Sequence, residues 1–109
     1  MNQVIWILVN CNSLEEAKSI GKAILKQRLS ACFDVYSRNL AAYFWPPKSR
    51  KIETTTGAML ILETFRDKYN LVTKEVKKIH SDDLPFIGYL EMKGISEEYL
   101  NWMKGELKE

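Results

Sequence analysis

Val4 to Val9, VIWILV, is an unbroken β-branched and aromatic run, the pattern of a strand buried on both faces. Polar Asn10-Cys11-Asn12 ends it. Ser13, with Glu16 three residues on, forms a capping box that opens a helix. Along that helix Ala17, Ile20, Gly21, Ile24 and Leu25 recur at three- and four-residue spacing and predict one apolar face. Gly21 on that face lets the helix sit close to a sheet. Lys18, Lys22 and Lys26 form a stripe that reads as a solvated outer face rather than an anion-binding one.

From Ala31 the pattern turns to β. Cys32, Phe33, Val35 and Tyr36 begin an extended stretch that reaches Trp45, and Pro46-Pro47-Lys48-Ser49-Arg50 is a turn. A strand runs back from Ile52 to Leu62, with Gly57 marking a bulge or bend. The two predict an unusually long hairpin. Thr64 and Asp67 read as a second capping pair, before a helix that places Tyr69, Val72, Val76 and Ile79 on one face. Lys74, Lys77 and Lys78 crowd its last turns, where the helix dipole favours cations. A fourth strand, Phe86 to Met92, precedes Gly94 and a short helix capped by Ser96 and carrying Leu100, Trp102 and Met103. The order β-α-β-β-α-β predicts an α+β, ferredoxin-like sandwich: a four-stranded antiparallel sheet with both main helices on one face and a C-terminal helix added.

Composition adds exclusions. At 109 residues the chain reads as a single domain, 1-109, able to bury a core unaided. A net charge of +2 argues against a nucleic-acid or membrane-surface partner, and no apolar run is long enough to span a bilayer. The start, MNQVIWILVN, lacks the basic flank and cleavage site of a signal peptide, which implies a cytoplasmic protein. The two cysteines read as free thiols.

Candidate chemistry centres on His80, the only histidine, at the end of the second helix before Ser81-Asp82-Asp83. Imidazole suits copper, zinc and nickel, Asp82 and Asp83 could add oxygen ligands, and Cys32 or Cys11 a thiolate. The bland alternative is a cap on the helix C-terminus, with Cys32 a small core residue. No cysteine or histidine spacing matches a zinc motif. One histidine, no nucleophile–base pair and no glycine-rich phosphate loop argue against an enzyme, so no cofactor is required. Lys48, Arg50 and Lys51 at the hairpin tip are candidate contacts for a small anionic effector or nucleotide. Tyr36, Tyr43, Phe44 and Trp45 lie in hairpin that two helices cannot cover, and predict an interface between copies of the chain.

With these motifs placed, the chain resembles the CutA family of divalent-cation tolerance proteins. The resemblance is carried by SLEEA (Ser13 to Ala17), RLSAC (Arg28 to Cys32), YFW (Tyr43 to Trp45), KIE (Lys51 to Glu53), Thr64, His80 with Pro85, and EYLNWM (Glu98 to Met103). It implies a non-enzymatic, cytoplasmic homotrimer linked to copper and other divalent metals. It further implies clefts between subunits like those of the PII signalling proteins, so a PII-like module is the alternative. The chain departs from the family pattern in the turn after His80, at Pro46-Pro47, at Glu63 and at Gly57, where the family carries an acidic residue.

Overall fold

The structure, a computed structural model, describes residues 3–109. It runs β1 (Val4–Cys11), α1 (Leu14–Lys26), β2 (Cys32–Phe44), β3 (Ile52–Phe65), α2 (Tyr69–Ile79), β4 (Ile87–Met92) and α3 (Glu97–Glu106), with a 3-10 turn at Arg66–Lys68. The four strands form one antiparallel sheet in the order β2-β3-β1-β4, an α+β arrangement consistent with the expected ferredoxin-like sandwich.

Strand alternation decides which residues meet the helices. Ile5, Ile7, Val9 and Cys11 of β1 point to one face with Leu60 and Leu62 of β3, against Ala17, Ile20 and Ile24 of α1 and Val72 and Val76 of α2. Each valine, leucine and isoleucine among them contributes about 1.5–3 kcal/mol through burial. At Gly21 a β-carbon would run into the Phe33 ring, so the glycine sets the α1–sheet distance as expected. Leu25 and Ile79, expected in the core, end on the helix flanks and stay largely exposed.

The opposite face corrects the expectation for β1. Trp6, Leu8 and Asn10 are only half-buried, because no long helix covers that side. Short α3 covers one end alone, packing Met103 and Leu107 on Val4 and Phe65. The rest of this open face, including Met59, Ile61, Leu90 and Tyr36, remains accessible. Among the described residues no helix is long and apolar enough to cross a membrane.

Two further expectations are corrected. Thr64 is not a cap: β3 continues to Phe65, Thr64 is fully buried, and its hydroxyl donates to the Leu29 carbonyl at 2.7 Å, while α2 has no side-chain cap. The bulge does not sit at Gly57 either. Arg38 pairs with Gly57 and Ala41 with Thr55, so the extra residue lies on β2 between Arg38 and Ala41. Its consequence is a change of parity: Arg38, Ala41 and Tyr43 now share the open face with Asn10. The hairpin projects beyond the helices and draws the molecule out to 48 × 26 × 22 Å.

Candidate functional site

The C-terminus of α2 delivers His80 to the end of β1. The imidazole is buried, and its Nδ1 accepts the Asp82 backbone N–H at 3.0 Å. A backbone N–H can only donate, so the ring proton resides on Nε2, which donates to the Asn10 carbonyl at 2.6 Å. His80 thus ends the helix and ties it to the sheet.

Glu16 sits beside it, with Oε1 3.9 Å from His80 Nε2. Ser13 caps α1 by accepting the Glu16 N–H at 3.0 Å. The Glu16 carboxylate reaches back to accept the Asn12 N–H, and across to accept the Ser81 N–H, both at 2.8 Å. Burial alone would raise its pKa, but the donors on Asn12 and Ser81 outweigh burial and hold the carboxyl below its usual range. Cys11, the last residue of β1, points to the same spot because the alternation of Ile5, Ile7 and Val9 continues to it. Burial first, and Glu16 second, push its thiol up to about 12.

One ligand atom from each of Cys11, Glu16 and His80 lies within 4.8 Å of the others. A thiol, a carboxylate and an imidazole form a donor set for a borderline or soft ion such as Cu2+ or Zn2+, and not for Mg2+ or Ca2+.

Of the residues expected to bind metal, only His80 lies in this cluster. Cys32 pairs with Glu63 and Glu63 with Trp6, four positions along β1 from Asn10, roughly 13 Å at strand spacing. Its thiol donates to Glu63 Oε1 at 3.5 Å. Asp82 and Asp83 are exposed and turn instead to a neighbouring groove, where Asn12 Nδ2 donates to Asp82 Oδ1 at 2.9 Å. The sequence offers Cys11 only as an alternative thiolate to Cys32, and Glu16 only as part of a capping box.

The groove has a volume of about 690 Å³. Arg38, Tyr43 and Trp45 of the hairpin form one wall, Asp82, Asp83 and Phe86 the other, with Asn10 also in the lining. Lys48, Arg50 and Lys51 do not line it; they stand exposed at the hairpin tip. Tyr43 and Trp45 are 45% and 49% exposed, while Phe44, facing the other way, and Tyr36 are more so.

The sequence and the backbone both find close likenesses. The family model described as CutA1 divalent ion tolerance protein matches residues 5–106. A divalent-cation tolerance protein CutA from Archaeoglobus fulgidus is 33% identical over 98 residues, covering 90% of this chain and 92% of that one. A solved structure from the same organism, described as a periplasmic divalent cation tolerance protein CutA, superimposes with a TM-score of 0.89 at 30% identity, covering 96% of this chain and 99% of that one. CutA1 from Oryza sativa gives a TM-score of 0.91 at 27% identity over 98% and 95% of the two chains. Against longer CutA proteins from Danio rerio and Oryza sativa, this chain spans 63% and 58% of their length.

Proposed function

Because the chain belongs to the CutA1 divalent ion tolerance family, we propose that it is a non-enzymatic protein that binds a divalent metal, copper in the first instance, and works as a cytoplasmic homotrimer. The observation that carries the metal reading is the convergence of Cys11, Glu16 and His80 within 4.8 Å. These three residues would hold the ion as cargo. Binding at Nε2 displaces the proton now given to Asn10, and binding at Cys11 displaces the thiol proton. Shifting the ring proton to Nδ1 also breaks the Asp82 N–H bond, so occupancy is coupled to movement of the 81–83 turn.

Self-association is supported by the open sheet face and by the exposed Tyr36, Tyr43, Phe44 and Trp45. The number three comes from the family resemblance. A reducing compartment suits the two free cysteines.

Calorimetric titration of Cu2+ and Zn2+ tests the metal site. His80→Ala and Cys11→Ser should each weaken binding about tenfold or more, and Cys32→Ser should leave it unchanged. Equal affinity in wild type and His80→Ala removes His80 from the site.

Three exposed cations, Lys48, Arg50 and Lys51, support a second reading, a PII-like module that senses an anionic effector. Among the described residues none of them makes a salt bridge. A thermal-shift screen against metals and nucleotides separates the two, because only a ligand of the folded state raises the melting point.

A further inference from the structure

The three side chains of the metal cluster are shut off from water. The His80 side chain is 0% exposed and that of Glu16 13%, and Cys11 is 1% exposed. An ion reaching them has to displace something, and the 81–83 turn is tied directly to two of the three. Ser81 N–H donates to Glu16 Oε2 at 2.8 Å and Asp82 N–H to His80 Nδ1 at 3.0 Å. Asn12 Nδ2 adds two tethers, to Ser81 Oγ and to Asp82 Oδ1, both at 2.9 Å. The side chains of the turn are themselves exposed, and a segment with so little buried surface opens locally at low cost. Asp82 and Asp83 also concentrate cations at this point, so the route to the cluster runs through the turn.

The outer side of the same turn is one wall of the groove whose other wall carries Tyr43 and Trp45. Leu84, at the end of the turn, is 84% exposed, and Phe86 is 55% exposed. A chain that covers the aromatic wall of this groove stands over the facing wall too. The proposed contact between copies, through the hairpin aromatics and the open sheet face, is continuous with Leu84 and Phe86, so the occupant is a second copy of this chain.

We propose that self-association gates the metal site: a second copy seated on Tyr43 and Trp45 closes over the 81–84 segment and slows passage of the ion to Cys11, Glu16 and His80. This link rests on the proposed metal site and on the proposed contact between copies, either of which can fail without the other. In a dissociated chain, four hydrogen bonds to a surface turn are all that has to yield. In the assembly, the turn opens only against the neighbouring chain. A tenfold difference in rate needs that neighbour to add about 1.4 kcal/mol to the opening, less than burial of one leucine contributes.

Stopped-flow loading of the metal-free full chain with Cu2+, followed by quenching of tryptophan fluorescence, tests the link beside light scattering of the same samples. Wild type is expected to load slowly, at a rate that levels off as copper is raised, because opening of the turn becomes limiting. Leu90→Glu lies outside both the groove and the cluster, and as a single chain it should load about tenfold faster or more. Asn12→Ala deletes both side-chain tethers and keeps the three ligands, so it should load faster than wild type at an unchanged mass. Equal rates in the wild-type assembly and the single-chain variant overturn the proposal and leave the metal site standing. So does a wild-type rate that climbs with copper and never levels off. Quenching no greater in wild type than in His80→Ala overturns the metal site, and a single-chain mass for wild type overturns the contact between copies; the gate falls with either.

Discussion

Arg38 lies across Gly57, its register partner on β3, and its Nη2 donates to the Thr56 carbonyl at 3.4 Å. A β-carbon at position 57 would meet both that guanidinium and the Cys11 carbonyl oxygen. The arginine can swing away, whereas the carbonyl belongs to β1 and cannot. Gly57→Ala is therefore expected to lower stability by about 1–3 kcal/mol. Most of that loss should persist in an Arg38→Ala background, as urea unfolding of the four proteins would measure. Full relief by Arg38→Ala would show that the arginine alone keeps position 57 a glycine.

Glu16 braces two turns. Its carboxylate takes the backbone N–H of Asn12 before α1 and of Ser81 after α2, so one side chain fixes the spacing between the first and second halves of the fold. Glu16→Ala leaves both donors without a protein acceptor, at an expected cost of about 1–3 kcal/mol. The Ser81 amide should also exchange hydrogen faster than in wild type. Unchanged exchange and stability would mean that His80 and Asn12 hold the turns unaided.

A second carboxylate, Glu63, organises the open face beside α3. It accepts from Trp6 Nε1 at 2.9 Å, from the Tyr99 hydroxyl, and from Cys32 Sγ. Burial first, and then the Glu63 charge, push the Cys32 thiol up to about 11. Because the folded pKa is raised, this group's contribution to stability is complete below the ordinary thiol value near 9. It is lost as pH climbs towards 11. At pH 8 the thiolate is about 100-fold scarcer than in an ordinary cysteine, so alkylation by iodoacetamide should be slow. Glu63→Gln should accelerate it; an unchanged rate would leave burial as the sole cause.

The helices were legible because their apolar positions recur with the helix period and nothing overrides them. The pattern ends β1 two residues short, since Asn10-Cys11-Asn12 looks like a turn. Extending the alternation of Ile5, Ile7 and Val9 by one step would have put Cys11 beside the helices and near His80. Gly57 suggests a bulge or bend, but a glycine in a strand equally marks a close backbone approach, and that is its role here. The real bulge, at Asn39-Leu40, carries no glycine and left no sign in the pattern. The meeting of Arg38 and Asn10 leaves no mark in the sequence either, because it depends on how β2 pairs with β3 and β3 with β1, not on spacing along the chain.

Tyr36 and Leu90 lie near opposite edges of the open face, 59% and 53% exposed, with Met59, Ile61, Leu8 and Trp6 between them. A face this apolar is costly to leave in water, and α3 reaches only the end at Val4 and Phe65. Light scattering should give three times the 12.7 kDa chain mass. Tyr36→Glu and Leu90→Glu place a charge in the contact, where an aromatic or aliphatic anchor is worth about 2 kcal/mol or more, and should return the mass to that of one chain. Lys48→Glu at the hairpin tip, away from this face, should not. Mass action supplies an independent check: a wild-type melting point that rises with protein concentration, and one in Tyr36→Glu that does not. A wild-type mass of a single chain at micromolar concentration would mean that this face meets water after all, and the homotrimer would fall with it.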